Sequence, residues 1–159
     1  MQVLNKNKII VKVSDAMVSQ NPSDIIATYS LGSCIGVCLY DTFTGVGGML
    51  HYQLPDSSLN PERAHANPYM FADTGLKALY NTMKSFGVRK SNIHAVVAGG
   101  ASIAIAPQGF DIGKRNHLAI RKLMWKLGVP IKSEDVGGSC PRTVFMDIAD
   151  GQVTIKRSE

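Results

Sequence analysis

From Cys34 to Tyr40 polarity alternates with a period of two. Ile35, Val37 and Leu39 fall on one side, and Cys34, Gly36 and Cys38 on the other. Turn residues follow from Asp41 to Gly45, and a second extended run returns through Val46 to Gln53. The two runs predict a β-hairpin. If it closes on Thr42 and Phe43, Cys34 and His51 become opposite or diagonal neighbours on one face.

The rest of the chain predicts many short strands and two helices. Residues 1–8 are polar and read as loose. A strand is expected over 9–13, with Met17 and Val18 continuing it beyond Ser14 and Asp15. A turn at Asn21, Pro22 and Ser23 leads to a strand over 25–29 that holds Thr28, and Leu31, Gly32 and Ser33 turn into the hairpin. Residues 57–67 show no period and read as a surface loop. Pro68 is expected to open the first helix with Asn67 as its N-cap, and Gly87 to stop it. A strand over 94–98 runs into a glycine turn over 99–102, then a short strand over 103–106 and a turn over 107–109. The second helix is expected over 112–127, capped by Asp111, with Ala119, Leu123 and Trp125 or Leu127 inward and Gly128 as its stop. Strands over 131–136, 143–148 and 153–156 complete the chain, the last two flanking an Asp150-Gly151 turn. The fold expected is one α/β (α+β) domain over 1–159. It is a layered α/β sandwich of mixed or antiparallel sheets flanked by helices, not a strict βα alternation.

Composition narrows the function classes. The formal charge of +5 is mild and favours an acidic partner surface, but no dense Lys/Arg run points to nucleic acid. No apolar run is long enough to cross a membrane and no basic-then-apolar leader opens the chain, so a cytoplasmic protein without direct membrane insertion is expected. Three unevenly spaced cysteines argue for reduced thiols rather than a disulfide framework. Cys34, Cys38 and His51 lack the CxxC spacing and further ligands of a zinc site, so no metal is expected.

Cysteine hydrolysis needs a thiol, a group to take its proton, and donors for an oxyanion. Cys34 and His51 are candidates for the first two, and the backbone around Gly32 and Ser33 for the third, glycine permitting unusual angles. Thr28 is a candidate to orient the His51 ring from a neighbouring strand. The same spacing also fits a Cys34 that merely fills the core and a His51 satisfied within its strand. Spacing alone favours that plainer reading. His94 is the one rival base. His65 and His117 read as surface residues, Cys38 as packing, and Cys140 as an exposed loop thiol. The glycine turn over 99–102 lacks the lysine of a phosphate cradle and reads as close backbone packing.

Several separated motifs then reverse the balance. Thr28, the LGSC run ending at Cys34, GGMLHYQLPDS through His51, ADTGLKAL from Ala72, AGGAS over 98–102, IGKRN over 112–116 and EDVGG over 134–138 together resemble the CheD family. The resemblance spans about 11–155. It implies a chemoreceptor glutamine deamidase with a layered sandwich related to toxin-type deamidases. In that family's pattern Cys34 matches the nucleophile, His51 the general base and Thr28 the group that orients it. It implies no cofactor. The implied partners are methyl-accepting chemotaxis receptors as substrate and a CheC-type CheY-phosphate phosphatase as regulator. Some members are described as receptor methylesterases as well. The competing readings are an adaptor that docks receptors or CheC with little catalysis, and a thiol redox or metal protein. The latter needs Cys38 to pair with Cys34, which its strand spacing disfavours.

Overall fold

The structure is a computed structural model that describes residues 5–102 and 111–158. The short strand and turn expected over 103–109 lie outside those residues. Two mixed sheets stack face to face, with helices against one of them, as the alternating patterns predicted.

The central five-stranded sheet has the order β2-β5-β4-β6-β7, from β2 (Asp15–Ser19), β5 (Val46–Tyr52), β4 (Ile35–Asp41), β6 (Ile93–Gly99) and β7 (Ile131–Val136). Its neighbours are antiparallel except β6 and β7. The second sheet has the order β1-β3-β8-β9, from β1 (Asn7–Ile10), β3 (Asp24–Leu31), β8 (Arg142–Asp147) and β9 (Val153–Arg157). There β1 runs parallel to β3. The helices are the short α1 (Pro61–Ala66), α2 (Ala72–Ser85) and α3 (Ile112–Leu127).

Strand β4 is buried along its whole length because both of its faces are covered. Ile35, Val37 and Leu39 join Leu50, Leu76, Leu79, Ile120 and Met124 in a core beneath α2 and α3. On the other face Cys38, Tyr40 and Met49 pack against Ile26, Val144 and Met146 of the second sheet. Burying these side chains removes most of the apolar surface the period-two pattern presents, at about 25 cal/mol per Å².

Four expectations are corrected. Residues expected to be loose are held: the Lys6 ammonium bonds Asp147 at 3.2 Å, and β1 joins β3 from Asn7, whose side-chain amide donates to Asp24 at 3.1 Å. The strand expected to continue from 9 to Val18 is two strands in different sheets, separated at Ser14, whose φ of 58° turns the chain. The loop over 57–67 contains a 3-10 turn and α1, capped by Asp56 and Asn60. Neither element is long enough to show a period. Asn67 does cap, but it caps a 3-10 turn over Pro68–Met70. Fully buried Phe71 is extended, one residue of a bridge between Leu54 and Phe71, so α2 starts at Ala72.

The second helix has the predicted bounds, with Asp111 accepting from the Lys114 N–H at 3.0 Å and Gly128 left-handed at its end. Of its expected inward residues, Ala119, Leu123 and Leu127 are partly buried and pack against the core, whereas Trp125 is 83 % exposed; the residues buried most deeply are Gly113, Asn116, Ile120 and Met124.

Candidate active site

The hairpin forms, with a four-residue loop in place of the expected two. The buried Asp41 carboxylate accepts from the N–H groups of Phe43 at 2.7 Å and Thr44 at 3.1 Å, and the Gly45 N–H donates to the Asp41 carbonyl at 2.9 Å. The longer loop shifts the register so that Gly36 pairs with His51. Cys34 lies two residues before Gly36 on the same side, which makes it the diagonal neighbour of His51.

His51 faces the second sheet, and Thr28 reaches it from there. Thr28 is on β3, paired with Val144 of β8, so it belongs to the facing sheet and not to a neighbouring strand. Glycine at position 36 leaves room for the Leu31 side chain, which a Cβ there would meet at 3.0 Å, while Thr28 would lie at an ordinary contact distance of 3.6 Å. Beyond Thr28 the β3–β8 register shifts by one residue, with Ser30 at a φ of 56°. This bulge returns Leu31 to the core and aims the chain into the Gly32-Ser33-Cys34 loop.

The hydrogen bonds fix the histidine's tautomer. The Thr28 hydroxyl has one hydrogen and donates it to the Val11 carbonyl at 2.7 Å. It therefore accepts from His51 Nδ1–H, also at 2.7 Å. Nε2 is left with a lone pair, buried and without a hydrogen-bond partner. Burial pushes the His51 pKa down from 6.5 to about 4, because the charged ring would lose its hydration. Burial pushes the Cys34 thiol up, with a main-chain hydrogen bond of its own pulling the other way. At neutral pH the pair rests as thiol and neutral imidazole.

The loop around Cys34 is held through its carbonyl oxygens. Ala101 N–H donates to Gly32 at 2.8 Å, the Asn116 side-chain amide to Ser33 at 2.9 Å, and Gly100 N–H to Cys34 at 2.9 Å. Gly99, at a φ of 110°, packs so tightly that a Cβ would overlap the Cys34 carbonyl oxygen. The glycine turn thus provides the close backbone approach its sequence suggested. Gly32 itself needs no left-handed backbone; that conformation occurs at Ser30 instead.

The remaining candidates separate in space. His94 pairs with Tyr40 near the far end of β4 and is exposed, so it is not placed beside Cys34. His65 is exposed, whereas His117 is half-buried and bonds Glu134 at 2.9 Å. Cys38 is buried, with its thiol pushed up to about 12. Cys140 lies half-buried in its loop, and all three cysteines are free.

The family described as CheD chemotactic sensory transduction matches residues 53–157. A Solibacter usitatus protein named "Probable chemoreceptor glutamine deamidase CheD" is 46 % identical over 151 residues, covering 95 % of this chain and 89 % of its own. A Syntrophus aciditrophicus protein, "Probable chemoreceptor glutamine deamidase CheD 1", is 48 % identical over 150 residues, 94 % of each. The chain belongs to the CheD family. Among solved structures, YlmD from Geobacillus stearothermophilus has a TM-score of 0.44 at 14 % identity, over 87 % of this chain and 60 % of its own.

The family match begins at Gln53, just past His51, so the placing of Thr28, Cys34 and His51 rests on the geometry of this CheD chain. Sequence reading missed Asn116, whose side chain also bonds the Gln53 carbonyl at 2.8 Å. An asparagine inside a polar, strongly basic helix reads as solvated. Its one available signal was the interval of four to Ile120 and eight to Met124, which puts it on their face.

Proposed function

We propose that this CheD chain hydrolyses glutamine side chains of methyl-accepting chemotaxis receptors to glutamate. The observation that supports it most is the Thr28–His51 bond between the two sheets, which leaves Nε2 as a free base on a residue diagonal to Cys34. Cys34 Sγ attacks the amide carbon while its proton passes to Nε2. The carbonyl π pair moves onto oxygen, and the resulting oxyanion is met by backbone N–H groups of the Gly32-Ser33-Cys34 loop. The oxyanion collapses, the C–N bond breaks, and Nε2 returns its proton to the nitrogen, which leaves as ammonia. A water molecule then loses a proton to Nε2 and attacks the thioester. Glutamate is released, and the proton returns to the Cys34 sulfur.

The same acyl steps would cleave a receptor methyl ester, with methanol leaving in place of ammonia. A CheC-type phosphatase is the regulator this reading expects, and occupation of the Cys34 cleft is how it would act.

The adaptor reading draws on one observation: Nε2 has no hydrogen bond to the Cys34 thiol in the free protein. Such bonds often close only when substrate is bound. The test is ammonia release and amide-to-acid mass change on purified receptor cytoplasmic domains, with the unmodified protein and Cys34→Ala side by side. Turnover lost in the variant is expected. Receptor binding without turnover by the unmodified protein would favour the adaptor.

A further inference from the structure

We infer that Asn116 is a positioning residue that sets the Cys34 N–H for oxyanion binding and ties the nucleophile loop to the histidine strand. The inference rests on the acyl chemistry proposed above and deepens it.

Asn116 is the fifth residue of α3, in a helix interior its type does not favour, and it is wholly buried. Its side-chain nitrogen gives one hydrogen to the Ser33 carbonyl at 2.9 Å and the other to the Gln53 carbonyl at 2.8 Å. Both partners are acceptors only, so the orientation of the amide is fixed. Ser33 immediately precedes Cys34, and Gln53 follows His51 by two residues. One NH2 group therefore holds the two halves of the site together.

Position 116 is itself held in turn. Tyr52, the partner of Ile35 in the hairpin register, donates its hydroxyl to the Asn116 carbonyl at 2.6 Å. Gly113 brings α3 so close to the glycine turn that a Cβ would overlap the Ala101 carbonyl oxygen. The carbonyls of Gly32, Ser33 and Cys34 are thus all held by one wall, made of Ala101, Asn116 and Gly100.

A trans peptide is planar, with its N–H opposed to its C=O. The bond to the Ser33 oxygen therefore fixes where the Cys34 N–H points: away from Asn116. Of the three peptides, this alone is held by a side chain. Without Asn116 it can rotate, and the Cys34 N–H no longer faces the charge that develops on the amide oxygen.

A second feature argues against a purely structural role. Asn116 Oδ1 is buried and has no hydrogen-bond partner. A buried unsatisfied acceptor destabilises the fold. An apolar side chain would avoid that cost, so the residue's worth lies in its two donors.

The test compares deamidation of receptor cytoplasmic domains with alkylation of Cys34 by iodoacetamide, which displaces iodide and builds no oxyanion. In Asn116→Ala, kcat is expected to fall about 10²-fold, as for loss of one oxyanion donor. KM and the Cys34 alkylation rate are expected to stay within about threefold. A kcat within about threefold of the unmodified protein would overturn the inference, as would kcat and alkylation falling together, the mark of a merely structural loss. Should Asn116→Ala not fold, Tyr52→Phe removes only the hydroxyl that anchors the Asn116 carbonyl. There kcat is expected to fall about tenfold at unchanged alkylation, and an unchanged kcat overturns the inference. Absence of turnover in the unmodified protein would remove the underlying reading and this inference together. Full turnover in both the unmodified protein and Asn116→Ala would remove the inference alone.

Discussion

Cys38 lies within β4 and Cys34 in the loop just before it, four residues earlier and on the same side, and they differ in almost everything else. Cys38 is opposite Met49 and Val96 in the ladder and packs among Ile26, Val144 and Met146. Burial there pushes its thiol up to about 12. Cys34 is half-buried on a loop whose carbonyls are all held, diagonal to a histidine whose proton is fixed on the far nitrogen. Position on a strand face does not make a nucleophile. The difference lies in the surroundings: apolar side chains of the facing sheet opposite Cys38, and beside Cys34 the His51 of the adjacent strand β5, bonded by Thr28 of the facing sheet.

The largest test of that contrast is to remove each sulfur in turn. Cys34→Ala is expected to lower receptor deamidation by at least about 10³-fold, since the nucleophile is lost. Cys38→Ala is expected to leave the rate within about threefold. Equal losses would place both thiols in one function and contradict the comparison.

Next in size is Thr28→Val, which keeps the shape and removes the hydroxyl. The His51 ring is then free to place its proton on Nε2, and kcat is expected to fall about 10²-fold, within the range for losing a positioned base. An unchanged rate would make the Thr28–His51 bond incidental.

Acid sensitivity of folding gives a smaller effect. The folded pKa of His51, about 4, lies below its ordinary 6.5. Between those values the unfolded chain binds the extra proton, so stability rises with pH there. The contribution is complete above pH 6.5 and is lost as pH falls through 4. Urea titrations at pH 7 and 5 should differ by about 2 kcal/mol more in the unmodified protein than in His51→Gln. Equal differences would mean that the ring is not held neutral.

Smallest is the packing term of the silent cysteine. Cys38→Ala leaves a small void between the sheets and should cost about 1 kcal/mol in urea unfolding. A neutral effect would mean that the site relaxes to fill it.

The hairpin was legible because local rules govern it: period-two alternation, turn residues, and two runs close in sequence. Its register was only half legible. The Asp41 side chain lengthens the loop to four residues by accepting from two of its N–H groups, and this moves Gly36 opposite His51. Helix α3 was legible to the residue, because a cap and a left-handed glycine bound it. Thr28 was legible as a partner, but not as a residue of the second sheet, since nothing in the run from 25 to 29 says which face will oppose another sheet. The bulge at Ser30 and the Asn116 bonds depend on contacts across 83 residues or on unusual backbone angles at non-glycine positions. The bulge has no local sequence signal, and for Asn116 the spacing to Ile120 and Met124 marks its face but not its partners.

The central claim is that Thr28, reaching from one sheet to the other, holds His51 as a neutral ring with Nε2 free. Nitrogen-15 NMR of the His51 ring at neutral pH tests this most directly. The account predicts a proton on Nδ1, an unprotonated Nε2, and titration near the low value of about 4. A proton on Nε2, or titration at the ordinary 6.5, would contradict it.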